Sequence, residues 1–269
     1  MLESSGEVLF LRVPPPGLLR RSACPWGRTL GSLLRPSGVS GQVGTRRLTC
    51  FWIGFGRRVR LPGPRLFRRL EQGTLRLVVD IGCAGALDPS LRRGDLVLSS
   101  AAVPFDGQGP LPVARSPETG SIARQVAEAR GVALAVAPVL THERAVLSRE
   151  ARLGLFESTG CAAVEMEHAW FLGLLKERLP KRTFEALRFT HLVLITDAVP
   201  GALGDTSGRS SGLQPGASRR PGPACRHARR QTRRQTRGAA WDAVRGYLLP
   251  GRGGILSLRR EFLTRWLVG

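Results

Sequence analysis

Apolar runs and amphipathic stretches alternate between residues 75 and 200. Residues 75–81 form a β-branched apolar run that ends at the glycine-rich stretch 82–85, and this pattern is typical of a buried strand that enters a glycine turn. Further strands are predicted at 95–103, 132–140, 162–166 and 189–199, and helices at 121–130, 148–158 and 168–179. Strands that alternate with helices in this way predict an α/β layer fold.

The two flanks of this core have a different pattern. Residues 1–50 are rich in Pro, Gly, Ser and Arg and are expected to be a poorly ordered basic segment, followed by a strand at 48–55 and a short helix at 66–72. The run 201–238 is too polar and charged to bury a core, which predicts disorder. Residues 239–269 show only a weak helical pattern. The predicted folded core is therefore 51–200.

The net charge is +21, and almost all of it lies in the two flanks. Such a charge taken alone indicates a nucleic-acid or anionic-membrane partner. However, the basic residues are nearly all arginine and the chain has no asparagine, as expected from the codon supply of a GC-rich gene. Because no aromatic residues interleave with the arginine repeats, we do not expect a nucleic-acid partner.

The spacing of the cysteines and the hydropathy of the chain argue against a disulfide-rich, metal-binding or membrane-spanning protein. The 5 cysteines are widely spaced without a C-x-x-C pair, and the 4 histidines lack metal-ligand spacing, so no disulfide framework, metal site or cofactor is predicted. No apolar run has the length of a membrane span, and residues 1–14 make a poor signal peptide. We therefore expect a cytoplasmic protein without a membrane partner.

The first candidate for chemistry is the glycine stretch Ile81-Gly-Cys-Ala-Gly85. Glycines at the carboxyl end of a strand let a ligand approach the backbone, and open α/β sheets bind ligands at these ends. A tight turn with small residues for packing explains the same glycines, and for glycines alone it is the favoured interpretation.

Two carboxylates in Val164-Glu-Met-Glu167 form the second candidate. Residues i and i+2 of a strand share one face, so Glu165 and Glu167 are expected to point the same way. A carboxylate in a cleft can accept hydrogen bonds from two vicinal hydroxyls, which suits ribose. A pair of acids at the end of a strand in water is an equally good interpretation.

The third candidate is Asp197, which ends the apolar run Leu192-Val-Leu-Ile-Thr-Asp197. An acid at the carboxyl end of a buried strand is suited to general acid catalysis. An aspartate that caps the turn before Pro200 is the alternative, and the spacing alone favours it.

Taken in order, the three motifs resemble the nucleoside phosphorylase/nucleosidase superfamily, which includes methylthioadenosine/S-adenosylhomocysteine nucleosidase, futalosine hydrolase and the hopanoid-associated phosphorylase-like proteins. The glycine stretch and the following Leu87-Asp-Pro-Ser-Leu-Arg-Arg-Gly-Asp-Leu-Val97 resemble its first signature, Val164-Glu-Met-Glu167 its ribose motif, and Thr196-Asp197 its catalytic pair. The resemblance covers residues 75–200. It implies a three-layer fold with a central mixed sheet flanked by helices.

The resemblance also implies a mechanism and a set of partners. Asp197 would protonate or hydrogen-bond N7 of a purine, while Glu167 would hold the 2′- and 3′-hydroxyls. The remaining substrate-binding positions would be Ala84, Gly85, Glu165 and Met166. Water or phosphate would attack the anomeric carbon, and hydrolysis is preferred because no phosphate-binding cluster is legible. Relatives of this fold commonly form homo-oligomers, and we expect one here.

Two departures from the family pattern keep other functions open. Many members carry an arginine four residues before the catalytic aspartate, where this chain has Val193, and residues 1–50 show no match to the family's first strand. A divergent N-terminus or a frame error in the gene would account for the missing match in residues 1–50. The alternatives are a nucleoside-binding member of the family with impaired catalysis and a basic nucleic-acid-binding protein.

Overall fold

The computed structural model describes residues 7–11, 39–43, 46–51, 53, 56–59, 61–113 and 116–199, together with the positions 257, 258, 261, 262 and 265. The segments predicted to be disordered at 201–238 and weakly helical at 239–256 lie outside the described residues. At the C-terminal end the described positions are helical, and Leu258 and Phe262 are completely buried, which agrees with a helix in this part of the chain.

Nine strands and five α-helices have bounds within the described residues, in addition to the helical positions near the C-terminal end. The strands are β1 (Glu7–Leu11), β2 (Val39–Val43), β3 (Arg46–Phe51), β4 (Leu75–Ala86), β5 (Leu96–Pro104), β6 (Leu111–Pro112), β7 (Leu134–Thr141), β8 (Ala163–Glu165) and β9 (Arg188–Asp197). The helices are α1 (Pro64–Glu71), α2 (Pro117–Arg130), α3 (Arg149–Thr159), α4 (His168–Arg178) and α5 (Lys181–Ala186). A short 3₁₀ helix covers Gly56–Arg58.

The strands form one mixed sheet in the order β2-β3-β1-β4-β8-β7-β5-β6, and β9 pairs with both β4 and β5. Strand β4 runs parallel to β1 and β9 and antiparallel to β8. Because β9 joins β4 to β5, the strands β4, β8, β7, β5 and β9 close into a ring. The central mixed sheet predicted from the sequence is confirmed.

Consecutive residues of β4 pack against helices on opposite faces of the sheet. Val78 packs in a cluster with Leu70 of α1 and Phe171 of α4, whereas Val79 packs with Val126 of α2 on the other side. This follows from the alternation of side chains along a strand. Helices therefore cover both faces of β4, as the three-layer fold requires.

Local sequence explains where the helices begin and end. Helix α2 starts at Pro117, earlier than predicted, because a proline at the first helical position is preorganised for the helix and needs no hydrogen-bond donor there. It ends at Gly131, whose φ of 64° is the left-handed conformation that glycine adopts at low cost. Ser148 caps α3 by accepting a hydrogen bond from the Ala151 N–H.

The structure differs from the sequence expectation in the N-terminal segment. Strands β1 and β2 lie within residues 1–50, where no strand period is evident, and β1 pairs with both β3 and β4 inside the sheet. The run Val8-Leu-Phe-Leu11 has the continuous apolar character of a buried parallel strand. Such a short run shows no alternation, so its periodicity does not identify it.

The glycine turn predicted at 82–85 is also wrong. Strand β4 continues through these positions to Ala86, and neither Gly82 nor Gly85 has a positive φ. Gly85 pairs with Val164 of β8 on one side and with Asp197 of β9 on the other. The glycine serves the packing around this strand and makes no turn.

Candidate active site

The last residues of β4 bring the three sequence motifs together. Gly85 lies between Val164 and Asp197 in the sheet, after a register shift between Ala84 and Gly85. Because neighbouring strands are separated by about 4.8 Å, the two outer motifs lie about 10 Å apart across Gly85. The carboxyl ends of β4 and β9, which run parallel, meet at this edge.

Asp197 ends β9 with a side chain that is 48% exposed. Its Oδ2 forms an ion pair with Arg152, and its Oδ1 accepts a hydrogen bond of 3.0 Å from the Thr196 hydroxyl. A Cβ atom built on Gly85 would lie 3.2 Å from Oδ2 and 3.3 Å from Oδ1. The carboxylate therefore occupies the space that the missing side chain of Gly85 leaves open.

Arg152 of α3 is a site residue that the sequence does not reveal. Its side chain is 4% exposed, and its guanidinium donates hydrogen bonds to four backbone carbonyls as well as to Asp197. The carbonyls belong to Val146 (2.9 Å), Ala198 (3.0 Å), Asp197 (3.2 Å) and Ala86 (3.5 Å). A buried charge with this many partners is compatible with the interior.

Glu167 lies at the junction between β8 and α4 and is 7% exposed. Its Oε1 accepts a hydrogen bond of 2.9 Å from the Gly56 N–H, which places the 3₁₀ helix beside it. Met166 lies at the same contact, since its Cε would be 3.7 Å from a Cβ on Gly56. The segment around Gly56 thus borders both residues of the predicted ribose motif.

The structure separates Glu165 from Glu167, although the sequence predicts a shared face. Strand β8 ends at Glu165, so the alternation of a strand does not extend to Glu167. The buried Glu165 carboxylate accepts hydrogen bonds from the Thr141 hydroxyl and from the N–H groups of Glu167 and His168. These contacts fix the junction between β8 and α4, and they do not support the predicted role of Glu165 in substrate binding.

A cleft of about 490 Å³ adjoins the Arg152 contacts. Its lining includes Phe105, His142 and Val146, whose carbonyl accepts from Arg152. Phe105 is half exposed, and its ring centroid lies 4.0 Å from that of His142. The cleft is lined mostly by apolar residues and lies next to the loop that Arg152 anchors.

Arg57 connects the 3₁₀ helix to the loop that precedes α3. It forms an ion pair with Glu143, and its guanidinium lies 4.8 Å from the ring centroid of Trp170. Both side chains of the ion pair are about half exposed, so the pair contributes little stability. The contact shows that the segment at Gly56 lies beside the loop that contains Glu143.

Asp80, His168 and His191 form a buried cluster that their spacing in the sequence does not show. Asp80 Oδ2 lies 3.4 Å from His168 Nδ1 and 3.6 Å from His191 Nε2. The two imidazole rings are stacked, with centroids 3.6 Å apart and planes inclined by 24°. Nitrogen lone pairs lie in the ring plane, so this stack does not aim both rings at one metal ion.

Two cysteines, Cys83 and Cys161, lie among the described residues. Both are free thiols. Burial raises the pKa of the Cys161 thiol, and a hydrogen bond with Thr159 opposes this effect in part. A core thiol of this kind is unreactive. Among the described residues, every helix is too short or too polar to cross a membrane.

Comparison with known proteins supports the resemblance drawn from the motifs. The family model of the phosphorylase superfamily matches residues 65–176. This match spans β4 to α4 and includes the glycine stretch, Arg152 and the Val164-Glu-Met-Glu167 motif. The resemblance to the phosphorylase superfamily is therefore confirmed for this part of the chain. No curated protein gives a significant match.

Solved structures share the fold at low sequence identity. A putative methylthioadenosine nucleosidase from Weissella paramesenteroides is 15% identical, with a TM-score of 0.52 over 72% of this chain and 88% of that one. The 5′-methylthioadenosine/S-adenosylhomocysteine nucleosidase of Helicobacter pylori, in complex with butyl-thio-DADMe-Immucillin-A, is 16% identical, with a TM-score of 0.51 over 72% and 86%. The fold and the family match support the predicted class of enzyme, a nucleosidase or nucleoside phosphorylase.

Proposed function

We propose that this protein cleaves the N-glycosidic bond of a purine nucleoside, with Asp197 at the base and Glu167 at the ribose. The observation that supports this most directly is the position of Gly85, which pairs with Asp197 on one side and with the Val164 motif on the other. Because Gly85 has no side chain, the Asp197 carboxylate fits beside its backbone, and the two motifs flank a single residue of β4.

Asp197 acts on the leaving group. Its carboxylate is half exposed at the end of β9, so it is accessible to a ligand. Asp197 relays a proton from water to N7 or holds the proton there, and the purine then leaves with the electron pair of the C–N bond as a neutral base. The ribosyl centre becomes cation-like in the same step, and a fixed negative charge nearby stabilises it.

Glu167 binds the sugar. A carboxylate has lone pairs for about four hydrogen bonds, so Glu167 can accept from the ribose hydroxyls as well as from the Gly56 N–H. Met166 packs against the sugar, and Ala84 and Gly85 line the base and ribose through their backbones. The burial of Glu167 strengthens its hydrogen bonds, because the local dielectric is low.

Hydrolysis is preferred to phosphorolysis. The preference rests on the sequence, in which no phosphate-binding cluster is legible. Arg152 is paired with Asp197 and Arg57 with Glu143, whereas Arg144 lines the cleft. We further propose a homo-oligomeric, cytoplasmic enzyme that requires no metal or cofactor.

The test is release of free base from a nucleoside panel, measured by chromatography with and without inorganic phosphate. The panel contains methylthioadenosine, S-adenosylhomocysteine, adenosine, inosine and futalosine. We expect base release from at least one substrate, at a rate that phosphate does not change. A folded protein that releases no base from any of them contradicts the proposal.

A second candidate is a nucleoside-binding protein that does not turn over its ligand. The burial of Glu167 beneath Gly56 favours it, because a sugar must reach this carboxylate past the 3₁₀ helix. Thermal stabilisation by a nucleoside that is recovered intact would identify this function. The basic flanks leave nucleic-acid binding as a further alternative, which a salt titration tests because phosphate-driven binding weakens steeply with salt.

A further inference from the structure

We infer that Arg152 is a positioning residue that sets the orientation in which Asp197 acts. The inference rests on the proposed function, and it assigns to α3 a role that no sequence motif indicates. It is carried by the geometry of one guanidinium, its partners and the glycine beside it.

Four of the partners of Arg152 are carbonyl oxygens, and these fix the guanidinium. Nε donates to Val146, while Nη1 lies within hydrogen-bond distance of Ala86, Asp197 and Ala198. A guanidinium is planar, and its N–H groups point in fixed directions. Because Nε and Nη1 are held by these carbonyls, the position of Nη2 in the guanidinium plane is also fixed. Nη2 then donates a hydrogen bond to Asp197 Oδ2.

Asp197 depends on this contact more than a buried residue would. Its side chain is 48% exposed at the end of a strand, where a carboxylate is free to change rotamer. Val193, four residues earlier on the same strand, is buried and apolar and offers no charge. Gly85 removes the steric obstacle, since a Cβ there would lie 3.3 Å from Arg152 Nη2 as well as beside the carboxylate.

Arg152 also connects the loop that lines the cleft to β9. Its helix follows the loop that lines the cleft, and its Nε holds the Val146 carbonyl of that loop. Because one side chain contacts β4, β9 and this loop, a shift of the loop changes the position of Asp197. A displacement of about 1 Å at a catalytic group can cost about 100-fold in rate.

The experiment compares kcat and KM of Arg152→Ala, Arg152→Lys, Asp197→Asn and the double variant Arg152→Ala/Asp197→Asn. We expect Arg152→Ala to lower kcat about 100-fold with KM nearly unchanged. Arg152→Lys keeps the positive charge but loses the planar set of N–H donors, so we expect a smaller fall in kcat than in Arg152→Ala. In the double variant kcat should equal that of Asp197→Asn alone, because Arg152 acts through Asp197.

Arg130→Ala is the matched control. Arg130 is also a largely buried arginine in an ion pair, with Glu261, but it lies outside the site. We expect it to lower the melting temperature and to leave kcat unchanged. Guanidinium chloride at millimolar concentration should restore part of the activity of Arg152→Ala by occupying the vacated space, and should not affect Arg130→Ala.

Three outcomes would overturn the inference. In the first, the loss of kcat in Arg152→Ala is fully explained by the fraction of the variant that is unfolded, and guanidinium restores no activity. Another is a double variant that is slower than Asp197→Asn by the full factor of Arg152→Ala. If Arg152→Ala does not fold, an unchanged kcat in Arg152→Lys is the third.

Failure of the proposed function would look different. A wild-type protein that cleaves no nucleoside refutes the enzyme, and the inference is then decided by crystal structures of wild type and Arg152→Lys. The Asp197 carboxylate should move away from its position beside Gly85 in the variant. A carboxylate that stays in place overturns the positioning role.

Discussion

Gly85 and Asp197 are neighbours across β4 and β9, and a Cβ atom on Gly85 would lie 3.2 Å from the Asp197 Oδ2. That separation is shorter than an ordinary van der Waals contact. The carboxylate is held there by Arg152 and Thr196, so it cannot move away freely. The glycine is therefore a requirement of the site.

Gly85→Ala should consequently reduce activity more than stability. The added methyl displaces the Asp197 carboxylate by a few tenths of an ångström, and we expect kcat to fall about tenfold because catalytic geometry is sensitive to such shifts. Gly173→Ala is the control, since a Cβ on this α4 glycine meets nothing within 4 Å. Alanine there should stabilise the protein by about 0.5–1 kcal/mol with kcat unchanged. Equal kcat in both variants would refute the requirement.

Glu167→Gln tests the sugar contact. Glutamine still offers an oxygen to the Gly56 N–H but carries no charge, so the fold should survive while ribose binding weakens. We expect wild type to cleave a 2′-deoxynucleoside more slowly than the ribonucleoside, and the variant to lose most of this preference. Steady-state kinetics with the two substrates provide the measurement. A variant that keeps the full preference shows that Glu167 does not contact the hydroxyls.

Glu165→Ala is expected to act on stability. The buried carboxylate accepts hydrogen bonds from Thr141 and from two backbone N–H groups, and all of them lose their partner in the variant. Removing a charged acceptor from buried donors costs about 3 kcal/mol or more in the free energy of unfolding. Urea unfolding measures this value. If stability is unchanged and KM rises instead, Glu165 binds substrate after all.

The Asp80 cluster gives a separate stability prediction. Asp80 is completely buried within 3.6 Å of two imidazole nitrogens, so Asp80→Ala leaves polar rings without this partner. We expect a loss of about 3–5 kcal/mol in the free energy of unfolding. Asp106→Ala at an exposed turn should change it by less than about 0.5 kcal/mol. Equal stability of the two variants would show that Asp80 does not stabilise the fold through this cluster.

The sequence predicted the parts of the fold that have a local cause. Strand β9 follows from its apolar run, and the end of helix α4 follows from the proline after Leu179. The order of the three motifs indicated the superfamily. Strand β1 was not predicted, because its apolar run is too short to show a period. The glycine stretch was misread as a turn, since the requirement for Gly85 comes from Asp197, more than a hundred residues away in the chain.

The sequence indicates candidate site residues only where they lie in a motif. Asp197 and Glu167 are legible from the sequence, whereas Arg152 lies in a polar helix among other charged residues and has no local distinction. Its role depends on carbonyls from β4, β9 and a loop, which only the folded chain brings together. The same holds for Asp80, His168 and His191, which come from two strands and a helix.

The most direct test of the proposed function is the single-turnover rate of base release by wild type and Asp197→Asn on the best substrate of the panel. Asparagine keeps the shape of the side chain but cannot carry the proton at N7. We expect the rate to fall by about 100-fold to 10,000-fold, as for loss of a general acid, while the melting temperature changes little. A variant that releases base at the wild-type rate would contradict the account.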